Sequence, residues 1–236
     1  MNLILLRPED YIAPRHARLN DQRARHIREV LGASAGASVK VGDVDGLIGS
    51  AEILRSDASA MELSVSLVRQ PPPKLPLTIV LALPRPKMLR RIIRSAAEFG
   101  VQRLILLNTY KVEKSYWQTP VLAPEIIRDY LIDGLQQSGD TVLPSISCEQ
   151  RFKPFVEDRL PALAAGSVGL VAHPGGTLPC PVALNQPCTL AIGPEGGFTA
   201  YEVEKLETAG LRPVHIGARI LRVENALTML TARLFT

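Results

Sequence analysis

Two patterns of apolar and polar positions divide the chain. Through about residue 70 the apolar positions alternate in short, β-branched runs such as "ASVKVGDVDGLIGSAEIL" and "MELSVSLV". Gly and Asp-Gly punctuate these runs, the pattern of a small antiparallel sheet or barrel. A short basic helix, "DQRARHIREVL", precedes them. Farther on, near-continuous apolar runs ("LTIVLAL", "RLILLN", "SVGLVAH", "TLAIG", "PVHIG") interleave with the helical spacing of "KMLRRIIRSAAEF", "PEIIRDYLIDGLQQ", "TAYEVEKLETA" and "ENALTMLTARLF". Strands apolar on both faces and separated by helices predict a parallel α/β sheet covered on both sides. Between the two patterns lies "RQPPPKLP", residues 69–76, whose consecutive prolines suit neither a helix nor a central strand. The expected organisation is therefore a domain over 1–70, a linker over 71–76 and a second domain over 77–236.

Punctuation within the second domain is specific. Gly100 and Gly210 follow helical patterns where a left-handed C-cap favours glycine. Thr199 and Glu202 form a capping box, so a helix starts directly after the loop "GPEGGF". That loop is not a P-loop, since no Lys follows its glycines, and Gly193, Gly196 and Gly197 do not have dinucleotide-fingerprint spacing. A carboxylate at Glu195 opposes a phosphate, whereas Pro194, Gly196 and Gly197 can turn backbone groups towards a flat base and a ribose. S-adenosylmethionine offers both, with a sulfonium charge and no phosphate. The competing reading is a tight strand-to-helix turn with an exposed Glu. The same strand-loop-helix design recurs in "HIGARILRVENALTML", where Gly217, Arg219 and Arg222 separate a strand end from the last helix. Two arginines there suit an RNA phosphate or a reacting base, or else they pair with Glu224 or a surface acid.

Composition narrows the partners. The formal charge of +4 and the sequence pI of 9.1 fit an anionic partner without requiring one. Cys148, Cys180 and Cys188 are an odd number with no CxxC pair, so reduced, buried thiols are expected rather than a disulfide framework. His16, His26, His173 and His215 are scattered, and no metal site is expected. The opening "MNLILLRPED" is too short an apolar run for a signal peptide or a membrane span, which points to a cytoplasmic protein.

The residues "IGPEGGF", Glu202 and "IGARILRVENA" together resemble the signature of the small-subunit ribosomal RNA methyltransferase E family, uracil-N3 methyltransferases of 16S rRNA within the SPOUT superfamily. The resemblance extends to "PRPKMLRRIIRSAAEFGV", "QQSG" and "HIREVLGASAGASVKVGD", and so covers nearly the whole chain. It implies an N-terminal PUA-like barrel, a C-terminal α/β domain with a trefoil knot, S-adenosylmethionine as cofactor, the small ribosomal subunit as partner, and a homodimer.

Carried over by position, the resemblance implies a cofactor pocket using Leu83, His173, Pro174, Gly193, Glu195, Gly196, Gly197, Ile216, Gly217, Ile220 and Leu221. Glu195 and Glu224 are the available carboxylates for the imide proton, and Arg219 and Arg222 the cations for charge on the uracil oxygens. Candidate RNA contacts are Arg23, Arg25 and Arg28 in the first domain and Lys87, Arg90, Arg91 and Arg94 on one face of a helix in the second. Each of these clusters also reads as an ordinary solvated helix face. Two positions depart from the family pattern: Asp140 follows "QQSG" where the family has Arg, and Asn225 stands in place of Thr.

Overall fold

The alternating pattern of the N-terminal region becomes a six-stranded sheet in the structure, a computed structural model that describes residues 1–235. Its strands are β1 (Ile4–Leu6), β2 (Tyr11–Ala13), β3 (His16–Leu19), β4 (Ser38–Asp43), β5 (Ile48–Ser56) and β6 (Met61–Arg69). The spatial order is β1-β4-β5-β6-β3-β2, antiparallel throughout except for the parallel β1–β4 pair. Inward-facing Val39, Val41, Ala51, Ile53, Leu63 and Val65 pack with Ile27 of helix α1 (Gln22–Glu29), which closes the core. Register shifts in the β5–β6 pair, at Ile48/Gly49 and Ile53/Arg55, curl the sheet. Gly49 is dictated by close approach, since a Cβ there would lie 1.9 Å from the Ser66 carbonyl oxygen. The Asp-Gly signal marks the β4–β5 turn, with Asp45 left-handed at φ 59°.

The second unit begins at Lys74. It contains β7 (Leu75–Ala82), α2 (Pro86–Glu98), β8 (Val101–Leu107), the start of α3 (Pro124–Ser138, as far as Tyr130), β9 (Ser145–Glu149), α4 (Phe152–Pro154), α5 (Leu160–Ala164), β10 (Val168–Ala172), β11 (Leu178–Pro179), β12 (Cys188–Ile192), α6 (Ala200–Thr208), β13 (Arg212–His215) and α7 (Val223–Phe235). Seven parallel strands lie in the order β11-β13-β10-β12-β7-β8-β9. Consecutive residues Val80 and Leu81 of β7 are both fully buried, so both faces of this central strand are covered, as its unbroken apolar run predicts. Helix α2 buries Leu89, Ile92, Ile93, Ala96 and Ala97 at helical spacing. Gly100 and Gly210 adopt φ of 69° and 97° after α2 and α6, the left-handed cap geometry that glycine supplies without steric cost.

The partition departs from the expectation at two places. Strand β7 starts at Leu75, inside the expected linker. Residues Leu131–Leu143, in the middle of the expected second domain, cluster with Met1–Pro73. Backbone hydrogen bonds explain this membership: the N–H groups of Asn2 and Leu3 donate to the Gln136 carbonyl at 2.8 and 3.0 Å, and Asp45 N–H donates to the Thr141 carbonyl at 2.8 Å. The Thr141 hydroxyl donates to the Gly46 carbonyl at 2.6 Å, and Leu143 N–H to Asp45 Oδ1 at 2.8 Å.

Candidate functional site

Parallel strands place all their carboxyl ends on one edge of the sheet, the edge where ligands sit in α/β folds. In the second unit three adjacent strands, β13, β10 and β12, end around a cavity of about 460 Å³. Its wall is made by the chain leaving β10 at His173 and Pro174, by Gly193–Phe198 after β12, and by Ile216–Arg222 after β13. Apolar Ile192, Val223, Ala226 and Leu230 floor it. Its volume falls in the range of small-molecule sites, roughly 300–1,000 Å³.

The loop after β12 is held on several sides. Gly197 N–H donates to the Pro194 carbonyl at 2.8 Å, with Gly197 at φ 69°. Gly193 has no room for a side chain, because a Cβ would lie 3.0 Å from the Phe198 nitrogen. Lys111 donates its Nζ proton to the Gly196 carbonyl at 2.6 Å, and Arg85 N–H donates to Glu195 Oε1 at 3.3 Å. The capping box is present: Thr199 Oγ1 accepts from Glu202 N–H at 3.2 Å, and Glu202 Oε2 accepts from Thr199 N–H at 2.8 Å. Glu202 does more than its spacing announced. It is 3% exposed, and its other oxygen accepts the Tyr110 N–H at 2.7 Å, tying the loop after β8 to the start of α6.

The loop after β13 is built differently. His215 Nδ1 accepts the Gly217 N–H at 3.2 Å, and Gly217 has φ 127°. Arg219 and Arg222 line the cavity and are exposed, and among the described residues their guanidinium groups have no hydrogen-bond or ion-pair partner, Glu224 included. After β10, His173 Nδ1 likewise accepts the Gly175 N–H at 3.1 Å. In both rings Nδ1 acts as acceptor, which assigns the proton to Nε2 in the neutral ring. His215 was not among the expected site residues. The H-x-G spacing it shares with His173 is the signal that would have found it.

Of the expected cofactor residues, every one except Leu83 lines this cavity. Leu83 is fully buried and donates its N–H to the Leu107 carbonyl at 2.9 Å, so it belongs to the sheet. Among the expected catalytic groups Glu195, Arg219 and Arg222 line the cavity. Glu224 does not; it lies in the first turn of α7, and its carbonyl accepts the Thr228 hydroxyl at 3.0 Å.

The expected RNA contacts separate. Lys87, Arg90 and Arg91 are exposed on α2, and Arg94 lies 4.5 Å over the Tyr130 ring. On α1, Arg25 is exposed and Arg28 half-buried. Arg23 is not an RNA contact: it is 7% exposed and forms a bidentate pair with Asp10 at 2.6 and 2.7 Å. It also donates to Asp21 Oδ2 at 2.7 Å and to the Leu5 carbonyl at 2.7 Å. Asp140 likewise serves the fold. It is 4% exposed, and its Oδ1 accepts the N–H groups of Thr141 and Val142 at 2.6 and 3.1 Å, the turn-forming habit of a short carboxylate.

All three cysteines are free; Cys180 and Cys188 are buried, and Cys148, expected to be buried, is exposed. Burial, helped by neighbouring Cys180, pushes the Cys188 thiol up to about 12. Among the described residues no cluster of His, Cys, Asp or Glu is placed to hold a metal, and no helix is long and apolar enough to cross a membrane.

Comparison with known proteins places this geometry. Residues 71–235 match the family model of the RNA methyltransferase domain. The ribosomal RNA small subunit methyltransferase E of Treponema pallidum is 32% identical over 235 aligned residues, covering 96% of this chain and 87% of the relative. The protein of the same name from Synechocystis is 26% identical over 230 residues, covering 92% and 71%. The crystal structure of the ribosomal RNA small subunit methyltransferase E from Neisseria gonorrhoeae, bound to S-adenosyl methionine, shares the fold with a TM-score of 0.74, at 18% identity over 98% of this chain and 95% of that one. With its α/β unit matched by the domain model and a relative above 30% identity along nearly its whole length, this chain belongs to the ribosomal RNA small subunit methyltransferase E family.

Proposed function

We propose that this protein transfers a methyl group from S-adenosylmethionine to N3 of a uridine in 16S rRNA of the small ribosomal subunit. The observation that carries the reading is the single cavity at the ends of β10, β12 and β13, where ten of the eleven residues expected at the cofactor meet. The donor set fits the cofactor. The loops present backbone rather than side chains at Gly193, Gly196 and Gly217, apolar Ile216 and Leu221 suit an adenine face, and Glu195 is the one carboxylate in the wall to face a cation. When bound, S-adenosylmethionine supplies an electrophilic methyl group on sulfur and departs as a neutral thioether.

The chain's own groups handle positioning and the proton. N3 lies on the pairing edge of uracil, so the acceptor base enters unpaired. Glu195 takes the imide proton, and Arg219 and Arg222, which no carboxylate claims, stabilise the negative charge that then spreads over the two carbonyl oxygens. His173 and His215, each with Nδ1 accepting a loop N–H, leave Nε2 to polar groups of the bound nucleosides. Lys87, Arg90, Arg91 and Arg94 of α2, together with Arg25 and Arg28 of α1, hold RNA phosphates.

The same reading takes the curled N-terminal sheet as a PUA-like barrel, the loops after β12 and β13 as part of a trefoil knot, and the active species as a cytoplasmic homodimer. Sedimentation of the purified protein tests the dimer. The decisive experiment is transfer of labelled methyl to small subunits that lack native uracil-N3 methylation, followed by nucleoside analysis. Labelled 3-methyluridine is expected. Cofactor binding without any transfer to these subunits would sink the assignment of this acceptor.

A further inference from the structure

The chain has five tyrosines, and the fold occupies four of them. The Tyr11 hydroxyl donates to Asp43 at 2.7 Å and that of Tyr116 to Glu113 at 2.9 Å. The Arg94 guanidinium lies 4.5 Å over the Tyr130 ring, and Lys205 Nζ lies 5.7 Å from the centre of the Tyr201 ring. Tyr110 is the exception. It is 84% exposed, and among the described residues neither its ring nor its hydroxyl has a partner.

Its backbone, by contrast, is anchored. The Tyr110 N–H donates to Glu202 Oε1 at 2.7 Å, and Glu202 is itself buried and bound to Thr199 through its other oxygen. The adjoining Lys111 grips the Gly196 carbonyl at 2.6 Å, and Gly196 belongs to the wall of the cavity. The fit is close, since a Cβ on Gly196 would lie 2.9 Å from Lys111 Cδ. A ring left in water on a backbone already fixed has prepaid much of the ordering cost of binding. An exposed aromatic ring next in sequence to a lysine suits single-stranded nucleic acid, because every base offers a π face.

From this juxtaposition we propose that Tyr110 is the stacking platform for an unpaired nucleobase of the RNA at the mouth of the cavity, a substrate-binding contact that rests on the RNA-methyltransferase reading above. Stacking there holds the acceptor strand open against the site while the cofactor wall is left untouched. Tyr110 is thus a substrate-binding residue and has no part in proton transfer.

The test compares full-length wild type with Tyr110→Ala, Tyr110→Phe and Tyr110→Trp. It measures Kd for a fluorescently labelled single-stranded fragment of small-subunit rRNA, Kd for S-adenosylmethionine, and steady-state methyl transfer. Tyr110→Ala should raise the RNA Kd and KM by about tenfold, with kcat and cofactor affinity near wild type, while Phe and Trp restore binding. Unchanged RNA affinity in Tyr110→Ala overturns the platform. A parallel loss of cofactor affinity also overturns it, since the side chain would then be supporting the loop. Should wild type bind the fragment but transfer no methyl group to small subunits, the function reading fails, and the Kd comparison among variants still decides the platform. Wild type that does not bind the fragment overturns the platform, while transfer to small subunits still decides the function reading.

Discussion

Two arginine-rich regions look alike in the sequence and opposite in the structure. At the start of α1, Arg23 is enclosed by Asp10, Asp21 and the Leu5 carbonyl and is nearly buried. In the loop after β13, Arg219 and Arg222 stand exposed on a cavity wall with no carboxylate paired to either among the described residues. Guanidinium groups are chemically identical in both places, so what separates structural from functional use is whether acids already claim them. A bidentate carboxylate satisfies the donor fork that a phosphate would otherwise use.

The comparison can be broken at its strongest point first. Arg23→Ala leaves Asp10 buried without a cation, with only the Arg7 N–H among the described residues donating to it, and should lower the unfolding free energy by about 3–5 kcal/mol in a denaturant titration. A loss of only a few tenths would mean that the cage is idle. Arg219→Ala should do the reverse, cutting kcat for methyl transfer by about 10²–10³ while stability stays within roughly 0.5 kcal/mol. Between these lies Glu202→Ala, which removes the carboxylate half of the α6 capping box and the anchor of Tyr110. It should cost about 1–2 kcal/mol, with amide exchange quickening around Gly196–Val203 if the anchor matters.

Acid sharpens the contrast further. Burial pushes the Asp21 carboxyl up, but the hydrogen bonds and charge of Arg23 outweigh it and hold the group below its usual 3.8. A value lower in the folded than in the unfolded chain adds stability that is present above pH 3.8 and lost as pH falls through the depressed value. The first unit should therefore weaken on acidification below the ordinary aspartate range, and Arg23→Ala should flatten that limb of the stability curve. The smallest effect belongs to Arg25→Ala, one exposed charge on the same helix. It should leave stability within about 0.5 kcal/mol and reduce the salt slope of RNA binding by about one.

Legibility in the sequence followed distance along the chain. The Thr199–Glu202 box, the left-handed caps at Gly100 and Gly210 and the Asp-Gly turn at Asp45 depend on neighbours within a turn, and all are present. The unbroken apolar run of β7 announced a strand covered on both faces, since burial is written into composition. Short strands without alternation, such as β1 and β11, carried no such mark. Long-range partners were unreadable: Arg23 finds Asp10 across a turn of the fold, Glu202 finds Tyr110 at a separation of 92 residues, and Gln136 finds Leu5 at 131. The cavity itself was legible because repeated strand-loop-helix grammar, in a parallel sheet, sends each loop to the same edge. Leu83 failed that logic because its backbone continues the sheet pairing with Leu107 instead of entering a loop.

The membership of Leu131–Leu143 in the first unit sets a timetable for synthesis. As the chain leaves the ribosome, Met1–Pro73 emerges with the N–H groups of Asn2 and Leu3 and the Asp45 turn still lacking their partners, because Gln136 and Thr141 have not yet been made. These contacts must wait through translation of β7, α2 and β8. At elongation rates of about 5–20 residues per second that interval is of the order of several seconds, long enough for chaperones to meet the unfinished sheet.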